Sequence, residues 1–130
     1  MELIHRYVGF AVVAVFTVGW VWGLGAAIVR RGPGERFWVW LTVAQVVAVV
    51  QALIGIVLLL MGLRPSDWLH LVYGFGPLVI FGIGHAMARE LQRQAEGEKP
   101  PIAPWVVFAA AGFISFGLST RALMTGLGIG

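Results

Sequence analysis

Four long apolar runs organise the chain: Tyr7 to Val29, Phe37 to Gly62, Leu69 to Ala88, and Trp105 to about Leu123. None of the six acidic residues falls inside them. The first three runs hold 23, 26 and 20 residues, and a helix of about 20 apolar residues crosses the hydrocarbon of a bilayer. Val-Val and Ile-Val pairs would suit strands in water. Lipid, however, permits only helices or closed barrels, and no period-2 alternation is present. The pattern predicts an all-α membrane protein with helices at about 4–30, 36–62, 67–94 and 103–124, forming one transmembrane domain over 1–130.

The polar punctuation sets the topology. Arg30-Arg31-Gly32-Pro33-Gly34-Glu35-Arg36 is a basic turn with helix breakers, and Leu63-Arg64-Pro65-Ser66-Asp67 is shorter still. Ser66 or Asp67 is placed to cap the third helix just before Trp68. Arg89 to Pro104 is expected to carry that helix about two turns beyond the membrane and to break it at Pro100-Pro101. Connections this short make neighbouring helices antiparallel, giving an up-down-up-down four-helix bundle. The first-second and third-fourth connections hold Arg30, Arg31, Arg36, Arg89, Arg93 and Lys99, against Arg6, Arg64 and Arg121 on the other side. Six cations against three predict a multi-pass protein of the cell membrane with both termini outside. The first helix is expected to be retained: its apolar run exceeds a signal core, and its start, MELIHR, is acidic as well as basic.

Composition sharpens this picture. Of 130 residues, 59% are hydrophobic and 12% charged, where a soluble domain carries about a quarter charged; mean hydropathy is +0.89. A water-soluble enzyme and a disordered chain are excluded, and the lipid bilayer is the expected surrounding. The absence of cysteine removes disulfides, thiolate metal sites, thioether-bound haem and cysteine catalysis. The pI near 10.2 describes loops and topology, not nucleic-acid binding.

Few residues are left to carry chemistry. No titrating carboxylate lies at mid-depth, which disfavours a small proton-coupled antiporter. No glycine-rich phosphate loop or His-Glu-x-x-His zinc helix is present. The histidines remain. His5 and His70 both begin odd-numbered helices, so they share one side of the membrane at similar depth, and first and third helices are commonly diagonal in such a bundle. Two imidazoles facing one another there can hold a haem iron from both sides. Gly9 and Gly74 follow the two histidines by one turn on the same faces, leaving room for a flat macrocycle. Arg6 and Arg64 stand at the same rim, suited to propionates. The competing reading makes both histidines interfacial rings that reach water.

His85 lies 15 residues after His70, about 22 Å along a helix axis, and reads as a hydrogen-bonded or snorkelling side chain. Pro77 is expected to kink the third helix. Gln45 and Gln51 are six residues apart, 240° around a helix, so they cannot share a face; one is expected to turn inward and the other to serve an interface. Gly19-x-x-x-Gly23, with Gly25, permits close helix approach or a dimer contact. Trp38, Trp40, Trp68 and Trp105 mark helix starts as interfacial anchors.

The run Glu2-Leu3-Ile4-His5-Arg6 resembles the Glu-x-x-His-Arg motif that opens a haem-bearing helix in the heme A synthase family. Gln51-Ala52-Leu53-Ile54-Gly55 is similar to the glutamine-led segment on that family's next helix, and Leu69-His70-Leu71 to the His-Leu at the start of the helix after it. The likeness covers residues 2–92 and implies that His5 and His70 ligate the iron of a b-type haem near the outer face. It further implies that Glu2 is the reactive carboxylate of an oxidoreductase. The usual family enzyme has eight spans, so a chain with four implies a homodimer or a larger complex.

Two function classes stand side by side. One is a bis-histidine haem b protein acting in electron transfer or in haem modification linked to respiratory oxidases. The other is a cofactor-free accessory subunit of a larger respiratory membrane complex, its glycine seams serving as protein interfaces.

Overall fold

The computed structural model describes residues 2–129. They form four α-helices: α1 (Glu2–Val29), α2 (Glu35–Leu60), α3 (Leu69–Gln94) and α4 (Pro104–Gly126), with no strand among the described residues. Each boundary lies within a few residues of the position read from hydropathy. All four are long and apolar enough to cross a bilayer, the architecture of a multi-pass integral membrane protein in contact with lipid.

The helix ends follow from the loop chemistry. At the end of α2, Gly62 takes φ 86°, and the Gly62 and Leu63 amides close back on the carbonyls of Leu59 and Leu58. That pairing satisfies two otherwise orphaned acceptors and needs a left-handed residue, which glycine supplies without strain. Arg30 ends α1 in the same way at φ 58°, where a side chain costs about 1–2 kcal/mol. Asp67 fulfils its expected capping role, its Oδ1 accepting the Leu69 N–H at 2.9 Å. α3 runs through Pro77 unbroken as helix.

The packing order makes the bundle. α1 lies against α2 and α4, α3 packs most extensively on α4, and the α2–α3 seam is the loosest of the four. α1 and α3 therefore face one another across the core, antiparallel to their flanking neighbours. Phe16 of α1, fully buried, stacks on Phe81 of α3 with ring centres 5.6 Å apart, and Phe81 stacks in turn on Phe108 of α4. Such pairs contribute about 0.5–1.5 kcal/mol each beyond their buried area. Around them the core is filled by small residues, among them Ala44, Ala48, Ala88 and Ala111, because in lipid it is close backbone approach that holds helices together.

The glycines of α1 serve this packing inside the bundle. A Cβ at Gly23 would lie 2.6 Å from the Ala109 Cβ of α4, and one at Gly19 would lie 3.3 Å from Leu41 of α2. The Gly-x-x-x-Gly spacing thus addresses two different neighbours in the same chain. Gly25, by contrast, has open space beside it. Trp40 also takes part in the packing: its indole N–H donates to the Val15 carbonyl at 2.8 Å, tying α2 to α1.

Gly23→Ala is accordingly expected to lower stability by about 1–3 kcal/mol through overpacking. Adding Ala109→Gly should recover most of that loss, since the two sites share one contact. Thermal unfolding of the detergent-solubilised single and double variants measures both effects.

Candidate functional site

The antiparallel order brings the starts of α1 and α3 to the same end of the bundle as the ends of α2 and α4. His5 and His70 meet there across the core. Their ring centres are 5.9 Å apart and their planes cross at 72°. Both rings are half-buried and line a cavity of about 350 Å³, bounded by all four helices and the α2–α3 connection. That volume falls within the usual range for cofactor pockets.

Each imidazole has a glycine of another helix beneath it. A Cβ on Gly126 of α4 would lie 2.9 Å from His70 Cε1 and 3.1 Å from its Nδ1. A Cβ on Gly55 of α2 would lie 3.3 Å from His5 Cε1. Only a residue without a side chain leaves the His70 ring where it is. Its orientation is then fixed by a hydrogen bond from Nδ1 to the Ala122 carbonyl oxygen at 2.8 Å. A carbonyl only accepts, so Nδ1 carries the proton and Nε2 keeps its lone pair. Thr125 Oγ1 stands 3.4 Å from Nδ1 and 3.0 Å from the Ala122 oxygen. This is the outer-sphere arrangement that metal-binding histidines use to set tautomer and ring direction.

His5 is held through its backbone. Gln51 of α2 donates from Nε2 to the His5 carbonyl at 2.8 Å. Gly9 is what lets the amide come so close: a Cβ there would lie 3.2 Å from Gln51 Nε2. The space beside Gly9 is thus partly taken by Gln51, whereas Gly74 has nothing within 4 Å of its Cβ position and does leave open room. His5 Nδ1, Gln51 Oε1 and, on α4, Ser115 Oγ and Ser119 Oγ are buried without a hydrogen-bond partner. Unmatched buried polar atoms are costly in a low-dielectric core, and His5, Gln51 and Ser119 all line the cavity.

Charge gathers at the rim. Glu2, Arg6 and Arg64 are exposed and line the cavity mouth. Arg64 Nη1 donates to the Leu59 carbonyl at 2.7 Å and to that of Leu63 at 3.3 Å, bracing the end of α2. On the same end Arg121 lies over the Tyr73 ring, 5.7 Å from its centre. Among the described residues no cluster of three or more His, Cys, Asp or Glu occurs. The pair is therefore a two-ligand arrangement, short of the four ligands of a structural zinc site.

One expectation needs correction. Gln45 and Gln51 do lie on different faces, but neither is left to an interface: both bond to another helix. Gln45 Nε2 donates to Leu41 at 3.2 Å while its Oε1 accepts from His85 Nε2 at 3.0 Å. His85 lies far from the histidine pair, exposed on the bundle surface with its ring edge on Phe108. Gly55, Gly126, Ala122 and Thr125 were not singled out from sequence. Spacing along a histidine's own helix does not reveal which residues of other helices lie beneath its ring.

No family model matches the chain, and neither does any curated protein or any solved structure.

Two substitutions test the His5 support. Gln51→Leu is expected to lower stability by about 0.5–1.5 kcal/mol, and Gly9→Ala, by displacing the amide, should act on the same bond. The double variant should then be little worse than the poorer single one, read as the midpoint of thermal unfolding in detergent.

Proposed function

We propose that the bundle binds one b-type haem between His5 and His70 and serves as a one-electron carrier in the cell membrane. The observation that carries this reading is the approach of two imidazoles, from diagonal helices, to 5.9 Å over a four-helix cavity. Two imidazoles this close, opening on one cavity, are the residues that would hold the iron. The donor set fits as well. The protonated Nδ1 of His70, spent on Ala122, leaves the other nitrogen as ligand, and neutral imidazole is the form that ligates.

A bound haem would supply reversible one-electron exchange at a potential set by its axial ligands and the polarity around it. The chain's own residues have separate tasks. Gly126 and Gly55 seat the rings, and Ala122 orients one of them. Gln51 steadies the first turn of α1 that carries the other. Leu58, Leu123 and Phe75 line the cavity with apolar surface, and Arg6 and Arg64 place cations at the mouth, where carboxylates of a macrocycle find charge-assisted partners.

The likeness of residues 2–92 to the heme A synthase family supports the same ligand pair and adds Glu2, the one acid on the cavity wall. Its part in haem modification is the second role of this reading, with a homodimer or respiratory complex as the setting. The excess of Arg and Lys on the Arg30 and Arg89 connections supports termini, and hence the haem end, on the outer side.

The test is optical. The protein purified in detergent is expected to give a b-type α-band in a dithionite-reduced minus oxidised spectrum. The band should be lost in His5→Ala and His70→Ala and kept in His85→Ala. A preparation that shows no such band even after haemin is added and the unbound excess removed would instead favour a cofactor-free accessory subunit.

A further inference from the structure

Midway along the bundle the loosest seam, between α2 and α3, holds a second cavity of about 340 Å³. Its walls are apolar, including Leu78 and Phe81, except for one polar pair: Gln45 on α2 and His85 on α3. The pair is internally ordered. Gln45 Nε2 donates to the Leu41 carbonyl, which fixes the amide so that Oε1 faces His85. Because Oε1 only accepts, His85 Nε2 carries the imidazole proton and Nδ1 keeps a free lone pair. The second hydrogen on Gln45 Nε2 is likewise uncommitted among the described residues. One acceptor and one donor thus stand together in a hydrocarbon-lined seam.

Polar groups at membrane depth are costly and usually mark a ligand or a pathway. From this pairing we infer that the α2–α3 seam binds the headgroup of a lipid-soluble quinone or its quinol. A quinol hydroxyl can donate to His85 Nδ1, and a quinone carbonyl can accept from Gln45. The planar ring suits a slot walled by Phe81 and Leu78. Gly82, which lines the cavity and has nothing within 4 Å of its Cβ position, keeps the slot open. A prenyl tail can leave along the loosely packed seam into lipid. A phospholipid headgroup fits less well, because the walls carry no cation. This site is separate from the histidine pair and does not depend on haem.

Tryptophan fluorescence provides the readout, since Trp38 contacts Phe108 with ring centres 5.3 Å apart and Phe108 contacts His85 at 4.8 Å. A short-chain benzoquinone titrated into the detergent-purified protein should quench in a saturable manner. Apparent affinity should fall up to about tenfold, one hydrogen bond's worth, in His85→Leu, and similarly in Gly82→Leu, which fills the slot while keeping both polar side chains. His5→Ala, which removes the proposed haem ligand, should leave quinone affinity unchanged. Quenching that rises linearly, as by partition into the micelle, would overturn the inference. So would saturable quenching that Gly82→Leu leaves intact, or that His5→Ala abolishes. Should His85→Leu fail to fold, Gly82→Leu alone decides.

Discussion

In hydrocarbon no water is available to satisfy a stranded donor or acceptor, and this constraint shapes the whole protein. It dictates helices in place of strands, although the chain is rich in valine and isoleucine. It also dictates that side-chain polarity be spent on other groups of the protein. Trp40 reaches the backbone of α1, Gln51 reaches the carbonyl of His5, and Gln45 pairs with His85. Each such bond joins two helices that lipid alone would give no hydrophobic reason to associate. Close packing supplies the rest, through the Gly23–Ala109 approach and the Phe16–Phe81–Phe108 stack.

Against this background the unmatched atoms stand out. His5 Nδ1, Gln51 Oε1 and Ser119 Oγ, all in side chains that line the larger cavity, are buried without partners, while His70 is held by Ala122 and seated on Gly126. Three of the five such atoms among the described residues thus gather at one cavity, while the other two, Trp20 Nε1 and Ser115 Oγ, do not line it. A two-imidazole haem site, as proposed, would give this end of the bundle a purpose, and a quinone in the α2–α3 seam would give one to the only polar pair in that cavity's wall. The two proposals together would make this a small membrane protein with a redox group near one end and a mobile lipid-soluble partner midway along the bundle.

Much of this was legible in the sequence because hydropathy is read one residue at a time. The four apolar runs, the breakers at Gly32-Pro33-Gly34 and Pro65, and the cap at Asp67 fixed the helices to within a few residues. Antiparallel order followed from connection length, and the nearness of His5 to His70 from their matched positions at the starts of α1 and α3. Contacts between helices were less accessible. Gly126 and Gly55 lie 56 and 50 residues in sequence from the histidines they support, and nothing in the local pattern distinguishes them from Gly74 or Gly25, which meet no neighbour. Gln45 and Gln51 were correctly placed on different faces, but the partners of those faces depend on the packing order, which hydropathy does not encode.

Electron paramagnetic resonance of the oxidised, haem-loaded protein tests the shared-iron geometry most directly. Two axial imidazoles with planes crossed near the observed 72° predict a low-spin ferric signal of strong anisotropy. A high-spin signal from the unaltered chain would mean that the two rings do not share an iron, and would contradict the account.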